Sequence, residues 1–374
     1  MKRATTTLVF CVLGLLAVGL VMLYSLGPAN DGGRLLRRQL LAGGLGLAGA
    51  LGLGLMDYRR LRAWSPWLVG VAFLMLVLVL VPGLGYKTNG ARRWFRYGGF
   101  QFQPSDYAKL ALLVALADYG AHWQRAMQGL KRGLWVPAKV IVPGLVLLFL
   151  EPDWGTALLM AGVSAIVLLV AGVRWTYLIP PVLLGALLVG ALVARNPVRF
   201  ARYYSWRHLE ETKDGIGGQA WQARAALGNG GPWGVGLHNS TQKRFVPEST
   251  TDFIFAIFGE EFGYVGSVAA LAAFAGLFLA GARIAAQAPD TFGLLLATGI
   301  SFLVALQALL NIAVVSGALP NKGLPLPFVS YGGSNLMMML CAVGVLVSIA
   351  RQSTLTLEPG LPEPSAPTLT PIAG

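Results

Sequence analysis

Charged residues are scarce in this chain: Asp, Glu, Lys and Arg together make up 12% of its 374 residues, whereas 55% are hydrophobic. A soluble domain carries about twice that share of charge, because its surface must stay in contact with water. The mean hydropathy of +0.64 agrees with this shortage. The composition therefore excludes a soluble globular protein and predicts a chain that exposes most of its surface to lipid.

Cysteine and histidine are also scarce. The two cysteines, Cys11 and Cys341, lie in apolar segments near opposite ends of the chain, and His122, His208 and His238 have no second histidine at helical spacing. Neither a disulfide nor a zinc site is predicted from such positions. The chain also lacks a Walker loop and a dinucleotide fingerprint. Nothing in the sequence therefore indicates ATP hydrolysis.

The few charges that are present are mostly basic, with 29 Lys and Arg against 16 Asp and Glu and a net charge of +13. Nucleic-acid-binding proteins gather basic residues on one soluble face, whereas here they are scattered through loops. The charge pattern therefore argues against a nucleic-acid partner. It favours anionic lipid headgroups and phosphorylated lipids as partners.

Apolar runs recur along the chain at the length of about 17–25 residues that a helix needs to cross a bilayer. They predict an all-α integral membrane protein, a polytopic bundle of about ten transmembrane helices. The predicted spans are residues 6–26, 39–56, 65–83, 105–121, 137–151, 155–173, 176–194, 253–282, 291–315 and 335–350. Residues 1–350 are therefore predicted to form one transmembrane domain.

One long polar segment interrupts this pattern, a predicted extracellular loop at about residues 195–252 between the seventh and eighth spans. So long an insertion in a compact bundle is usually functional.

An even number of spans places both termini on one side. The segment 351–374 is rich in Pro, Thr and Leu and lacks periodicity, so we predict a disordered cytoplasmic tail.

Charged groups at membrane depth are costly, and each is a candidate functional residue. Most of those in this chain lie at predicted helix ends on the side opposite the N-terminus, which predicts a site at the outer membrane surface. The candidates are Asp106, Lys109, Asp118, Lys139, Glu151, Asp153, Asp252, Glu260 and Glu261.

Asp252 lies where the polar loop meets the eighth span, and two interpretations of it remain open. A carboxylate at a helix start caps free backbone N–H groups and complements the helix dipole. Alternatively, partial burial at the water–lipid boundary raises its pKa and makes it a general base.

Other charged residues also allow two interpretations. Lys109 shares a helix face with Asp106 and either pairs with that carboxylate or binds a diphosphate. Glu260 and Glu261 either bind a cation or share a proton, or one of them pairs with a basic side chain of a neighbouring helix. The cluster around Arg93 and Trp94 suits either phosphate and sugar binding or interfacial anchoring.

Five motifs in a fixed order resemble the SEDS family (shape, elongation, division and sporulation), which are membrane glycosyltransferases of peptidoglycan synthesis. The similarity covers roughly residues 1–350. The motifs are Arg92-Arg93-Trp94, Gln103-Pro104-Ser105-Asp106 with Lys109, Pro152-Asp153-Trp154-Gly155-Thr156, Thr251-Asp252-Phe253-Ile254-Phe255-Ala256 and Ser330-Tyr331-Gly332-Gly333-Ser334.

This resemblance implies a protein of the bacterial cytoplasmic membrane with ten spans, cytoplasmic termini and an outward-facing active site. It implies polymerisation of lipid II with release of undecaprenyl diphosphate and inversion at the anomeric carbon, with Asp252 as the general base. Arg38, Arg93, Lys109, Lys243 or a divalent cation would stabilise the leaving diphosphate. The full set of expected substrate-binding residues is Arg38, Arg93, Trp94, Lys109, Asp153, Gln242, Lys243, Glu248 and Ser330.

Within the family, the segments Gly234–Lys243 and Leu319–Gly323 favour the division branch over the elongation branch. The resemblance also implies a class B penicillin-binding protein, a transpeptidase, and other divisome membrane proteins as partners. The chain departs from the family pattern at Asp106, Glu151 and Trp154, where glutamate, glutamine and leucine are usual. The functions that compete with a division polymerase are a lipid II flippase, an elongation polymerase and a scaffold that only docks the transpeptidase.

Overall fold

The computed structural model of the protein describes residues 1–27, 33–88, 90–97, 100–246 and 248–357. This part of the chain is an α-helical bundle. The helices are α1 (Lys2–Leu26), α2 (Arg34–Leu55), α3 (Arg60–Leu80), α4 (Pro104–His122), α5 (Val136–Leu150), α6 (Trp154–Val170), α7 (Trp175–Arg195), α8 (Pro197–Arg207), α9 (Gly218–Asn229), α10 (Ile254–Ala286), α11 (Thr291–Val315) and α12 (Gly333–Leu357).

Each of the ten predicted spans coincides with one helix, namely α1–α7 and α10–α12. Eight helices in the described residues are long and apolar enough to cross a membrane, with α5 counted together with the π-helical turn Lys131–Trp135 that precedes it. The other two are α6, which has only 17 residues, and α4, which carries Asp106, Lys109 and Asp118. Helix α12 continues to Leu357, seven residues past the predicted end of the last span, and the rest of the predicted tail lies outside the described residues.

Helices α4, α11 and α12 lie at the centre of the bundle and bury much of their length. Helix α2 packs closely on α12. A Cβ added at Gly46 would lie 2.7 Å from the Leu340 side chain, and one at Gly344 would lie 2.4 Å from the backbone oxygen of Ala50. Small residues allow such approach in a bilayer, where packing drives helix association. Helix α7 differs, since Leu178 is its one buried residue.

Residues in the connections form structure that the sequence did not predict. Strands β1 (Tyr86–Thr88), β2 (Ala91–Tyr97) and β3 (Phe100–Phe102) make an antiparallel sheet between α3 and α4. The long polar loop contains α8, α9 and a 3-10 turn at Gln242–Arg244, while a second 3-10 turn, Gln124–Ala126, and a π-helical turn, Lys131–Trp135, precede α5. The sheet is a small addition to an otherwise all-α fold.

Helix α10 contains a kink at Gly263, whose φ of 69° and ψ of −165° are essentially restricted to glycine. A Cβ there would lie 2.3 Å from the backbone nitrogen of Gly234 in the long loop. The backbone nitrogens of Tyr264 and Val265 donate to the carbonyls of Gly231 and Pro232. The kink therefore frees amide groups that fasten the loop to the bundle.

We expect Gly263→Ala to destabilise the protein by about 1–3 kcal/mol, because the new side chain meets both a forbidden backbone region and the Gly234 backbone. The thermal unfolding midpoint in detergent measures the effect. Gly70→Ala in α3 is the control, since a Cβ at that position meets no atom within 4 Å. Equal midpoints for the two variants would contradict the role given to the kink.

Candidate active site

The polar ends of five segments meet at one end of the bundle, which we call the site end. It comprises the starts of α2, α4, α6 and α12 and the segment before α10, and hydrogen bonds connect these segments. A cavity of about 2420 Å³ opens there and continues between α5, α6 and α7. The part between these three helices is apolar and is lined by residues such as Ile141, Leu145, Leu158, Ala161, Leu184 and Leu188.

Asp252 lines the polar part of this cavity, and its backbone is held tightly. The Ser330 hydroxyl donates to the Thr251 carbonyl at 2.6 Å, and the Tyr331 backbone nitrogen donates to the Thr250 carbonyl at 2.8 Å. The Asn311 side-chain nitrogen donates to the Asp252 carbonyl at 2.7 Å. The main chain at Asp252 is therefore fixed to α11 and to the segment before α12.

The Asp252 carboxylate itself accepts no hydrogen bond from any described residue. Within the same residues it neither caps the start of α10 nor forms an ion pair. Burial, together with the negative charges of Glu248 and Asp153 and against the opposing effect of the Arg93 guanidinium, raises the pKa of this carboxyl to about 7. A carboxyl with such a pKa holds and releases a proton near neutral pH, as a general base requires. Of the two interpretations left open, the helix cap does not agree with the geometry.

Lys109 and Asp106 form a buried ion pair, with the lysine nitrogen 2.9 Å from the carboxylate. The same nitrogen donates to Gln307 of α11 and Asn335 of α12, each at 3.2 Å, and Asp106 accepts from the Ser334 hydroxyl at 2.7 Å. All three protons of the ammonium group thus have partners within the protein. The arrangement favours pairing over diphosphate binding for Lys109.

Arg93 holds the turn between α5 and α6. Its Nε donates to the Glu151 carbonyl at 2.8 Å, and a terminal nitrogen donates to the Pro152 carbonyl. Asp153 then caps α6 by accepting from the Thr156 nitrogen at 3.2 Å, and it also accepts from Gln103 at 3.1 Å and Ser105 at 3.4 Å. Both residues line the cavity, but much of their bonding capacity serves the fold.

Glu151 is fully buried, and neither of its side-chain oxygens has a hydrogen-bond partner among the described residues. Burial raises the pKa of its carboxyl to about 9, with a smaller raising effect from Asp153. The carboxyl is therefore uncharged at neutral pH. An uncharged carboxyl resembles the glutamine that is usual at this position in the SEDS family.

The structure brings together some of the remaining candidates and separates others. Arg38, Trp94 and Glu248 line the cavity, whereas Ser330 is buried and its hydroxyl is engaged by Thr251 and by the Leu326 nitrogen at 2.8 Å. Gln242 and Lys243 are not among the cavity-lining residues. The lysine nitrogen of Lys243 donates to the His238 carbonyl at 2.7 Å, and the Gln242 backbone nitrogen donates to Glu260 at 3.3 Å.

Glu260 and Glu261 do not share a site. Glu260 accepts hydrogen bonds from the segment Ser240–Gln242, including the Thr241 hydroxyl at 3.0 Å. Glu261 accepts the Ser25 hydroxyl of α1, with its two oxygens at 2.6 and 2.9 Å. Within the described residues neither carboxylate has a basic partner or belongs to a metal-binding cluster. Glu260 therefore joins the long loop to α10, whereas Glu261 joins α1 to α10.

Four basic residues of the cavity were missed as site residues by the sequence reasoning: Arg199, Arg202, Arg224 and Lys322. Arg199 stacks on the Trp154 ring at 3.9 Å, and Arg224 donates to the Gly317 carbonyl at 3.0 Å. Among the described residues, the side chains of Arg202 and Lys322 have no hydrogen-bond or ion-pair partner, and the same holds for Arg38. The alternation of arginine with aromatic residues in α8 was the available signal.

The cavity therefore combines a long apolar groove, a basic polar end and one carboxylate without a hydrogen-bond donor. Such a site suits an amphiphilic ligand with an anionic head, and it lies in a multi-pass helical membrane protein. The chain matches the FtsW/RodA/SpoVE family of cell cycle proteins over residues 5–355 and belongs to this family. The SEDS family predicted from the motifs is thereby confirmed.

Named relatives cover nearly the whole chain. Stage V sporulation protein E of Bacillus subtilis is 39% identical over 353 residues, which span 92% of this chain and 96% of the relative. A probable peptidoglycan glycosyltransferase FtsW of Trichlorobacter lovleyi is 40% identical over 350 residues, with 92% of each chain covered.

Two solved structures are similar in fold. A chain of a peptidoglycan synthase complex, described for its coordination of polymerization and crosslinking, has a TM-score of 0.78 at 33% identity and covers 92% of this chain and 97% of its own. The rod shape determining protein RodA of Thermus thermophilus has a TM-score of 0.69 at 32% identity and covers 92% of this chain and 96% of its own.

We expect Lys109→Met to destabilise the fold by roughly 3–5 kcal/mol, because it leaves the Asp106 carboxylate buried without its cation. The thermal unfolding midpoint in detergent is the measurement. The double variant Asp106→Asn with Lys109→Met removes both charges and should recover much of the loss. A double variant as unstable as the single one would show that the ion pair is not the source of the effect.

Proposed function

We propose that this protein is a peptidoglycan glycosyltransferase that polymerises lipid II, with Asp252 as its general base. The observation that carries the proposal is the Asp252 carboxylate, which lines the cavity without a hydrogen-bond donor while its backbone is fixed on three sides. The family membership and the relatives named as peptidoglycan glycosyltransferases support the same reaction.

The reaction joins two disaccharides. The 4-hydroxyl of the acceptor sugar attacks the anomeric carbon of the donor, the bond to undecaprenyl diphosphate breaks, and the configuration inverts. Asp252 takes the hydroxyl proton as the new bond forms, because an alcohol is a weak nucleophile until a base accepts that proton. The fixed backbone places Asp252 at the cavity, and no hydrogen bond from a described residue competes for the lone pairs of its carboxylate.

The basic groups of the cavity would hold the diphosphate as negative charge develops on it. Arg38, Arg202 and Lys322 line the cavity with no partner among the described residues, so we assign this role to them in preference to Lys109 and Lys243. Burial lowers the pKa of Lys322, which is the effect that a bound anion would reverse. The apolar groove between α5, α6 and α7 would take the polyprenyl chain.

The same proposal implies which end of the bundle faces the outside of the membrane. The site end lies opposite the N-terminus, and lipid II is polymerised at the outer face of the cytoplasmic membrane, so both termini would be cytoplasmic. The partners would be a class B penicillin-binding protein, which supplies the transpeptidase, and other divisome membrane proteins. The similarity to a chain of a peptidoglycan synthase complex supports the first of these partners.

Septal synthesis in cell division is the role we propose within the family, in preference to elongation or to transport of lipid II without polymerisation. Several similar relatives are named FtsW, while one is a sporulation protein. A flippase would need no base, whereas this cavity presents a carboxylate with a pKa near 7. That carboxylate is the feature that favours an enzyme over a transporter.

Asp252→Asn should abolish polymerisation, because the amide cannot accept the hydroxyl proton. The assay is the full-length protein reconstituted with its cognate transpeptidase and fluorescent lipid II, with glycan ladders resolved on a gel. Asp214→Asn is the control, since Asp214 lies exposed in the same long loop. Normal ladders from Asp252→Asn would refute the base assignment, and vesicles in which lipid II crosses without polymer would support a flippase.

The rate of polymerisation should fall as the pH drops through about 7, because protonation of Asp252 removes the base. The sign follows from the raised pKa: the carboxyl is ionised and active above that value and neutral below it. Initial rates over a pH series, at lipid II concentrations well below KM, give the midpoint of the kcat/KM profile, which reports the pKa of the protein without substrate. A midpoint near the ordinary pKa of an aspartate, about 4, would contradict this environment for Asp252.

Lys322→Gln and Arg202→Gln should each weaken binding of undecaprenyl diphosphate by roughly tenfold to a hundredfold, since each removes a charge-assisted hydrogen bond worth about 1.5–3 kcal/mol. Product inhibition of polymerisation by added undecaprenyl diphosphate provides the measurement. Lys213→Gln, at an exposed position of the long loop, should leave it unchanged. Unchanged inhibition in both cavity variants would remove these residues from the diphosphate site.

A further inference from the structure

Gly323 lies directly against the Asp252 carboxylate. A Cβ added at Gly323 would be 2.8 Å from Oδ2 and 3.8 Å from Cγ of Asp252, and it would meet no other non-adjacent atom within 4 Å. Real Cβ atoms essentially never approach an oxygen so closely, so a side chain at this position would displace the carboxylate. Both residues line the cavity.

The backbone at Gly323 does not itself require glycine. The Leu324 nitrogen donates to the Lys322 carbonyl at 2.9 Å, which makes a three-residue turn centred on Gly323. Gly323 is not among the glycines with positive φ, so an alanine can adopt this conformation. Within the described part of the chain, the one steric consequence of a Cβ here is its collision with Asp252.

A single amide group prevents the two segments from moving apart. The Asn311 side-chain nitrogen donates to the carbonyls of both Asp252 and Leu324, each at 2.7 Å. Ser330 and Tyr331 additionally hold Thr251 and Thr250. Because the main chain is fixed on both sides, the Asp252 side chain is the part that must yield to a larger residue at position 323.

We propose that Gly323 is a positioning residue, whose missing side chain holds open the space beside Asp252 in which the acceptor hydroxyl approaches its base. This inference rests on the proposed function, because it needs Asp252 as the base. The hydroxyl must come within about 3 Å of the carboxylate oxygen, and a Cβ at Gly323 would occupy one side of that approach. Gly323 thus acts on the reaction through Asp252.

The test compares Gly323→Ala and Gly323→Val with the unmodified protein, each reconstituted at full length with its cognate transpeptidase. We expect kcat for lipid II polymerisation to fall roughly tenfold in Gly323→Ala and further in Gly323→Val, since relief of the 2.8 Å contact moves the carboxylate by a fraction of the displacement of about 1 Å that costs about a hundredfold. KM for lipid II and the thermal unfolding midpoint should stay within about twofold and a few degrees. Gly215→Ala, a loop position where a Cβ meets only the Thr212 oxygen at 3.9 Å, is the matched control.

A pH profile separates this role from a general loss of stability. The added methyl group displaces water from Asp252, so the midpoint of the rate profile should move to higher pH in Gly323→Ala and stay in place in Gly215→Ala. A Gly323→Ala protein that polymerises at the normal rate would overturn the inference. A loss explained by a raised KM or by a lowered unfolding midpoint would overturn it as well.

A parallel measurement of Asp252→Asn separates a failure of the role proposed for Gly323 from a failure of the base assignment. An inactive Asp252→Asn beside a fully active Gly323→Ala would overturn the role of Gly323 and leave the base assignment intact. An active Asp252→Asn would overturn the base assignment, and the role of Gly323 with it.

Discussion

The buried ion pair between Lys109 and Asp106 is the interaction on which the site end depends. Charges at membrane depth are stable only when they have partners, and here the additional partners come from two other helices: Gln307 from α11, and Ser334 and Asn335 from α12. Satisfying one lysine and one aspartate therefore fixes the relative positions of α4, α11 and α12. The segment before α12, which holds the backbone beside Asp252, is positioned by the same contacts.

The charged groups fall into two sets, those that are bonded to other parts of the protein and those that line the cavity without such bonds. Asp153, Glu260 and Glu261 all accept hydrogen bonds from other parts of the fold. The first caps α6, the second holds the long loop on α10, and the third joins α1 to α10. Asp252 has a fixed backbone but a carboxylate without a donor, and Arg38, Arg202 and Lys322 line the same cavity without protein partners in the described residues. Among the charged groups that line the cavity, those without a hydrogen-bond or ion-pair partner in the described residues are thus one carboxylate and several cations, which fits the proposed sugar hydroxyl and diphosphate.

The shape of the cavity extends this match to the whole substrate. Helix α7 buries little of its surface against the bundle, so an apolar groove between α5, α6 and α7 continues the polar site end along the membrane. A lipid-linked sugar diphosphate has the same order of parts: a long apolar chain, an anionic junction and a polar sugar. The groove lets such a molecule reach Asp252 from the side of the bundle without leaving the lipid.

The sequence alone determined the ten spans, the long polar loop, the family and Asp252 as the leading candidate, because span length and motif order are local properties of the chain. Tertiary structure decided which polar and charged side chains are bonded to other parts of the protein. Sequence reasoning placed Lys109, Lys243 and Ser330 among the substrate-binding residues, but their partners, Gln307, His238 and Thr251, come from other segments or from loop backbone that no periodicity reveals. Gly323 is the clearest case, since its importance lies in an atom that it lacks and in the distance to a carboxylate 71 residues earlier, which only the packed fold defines.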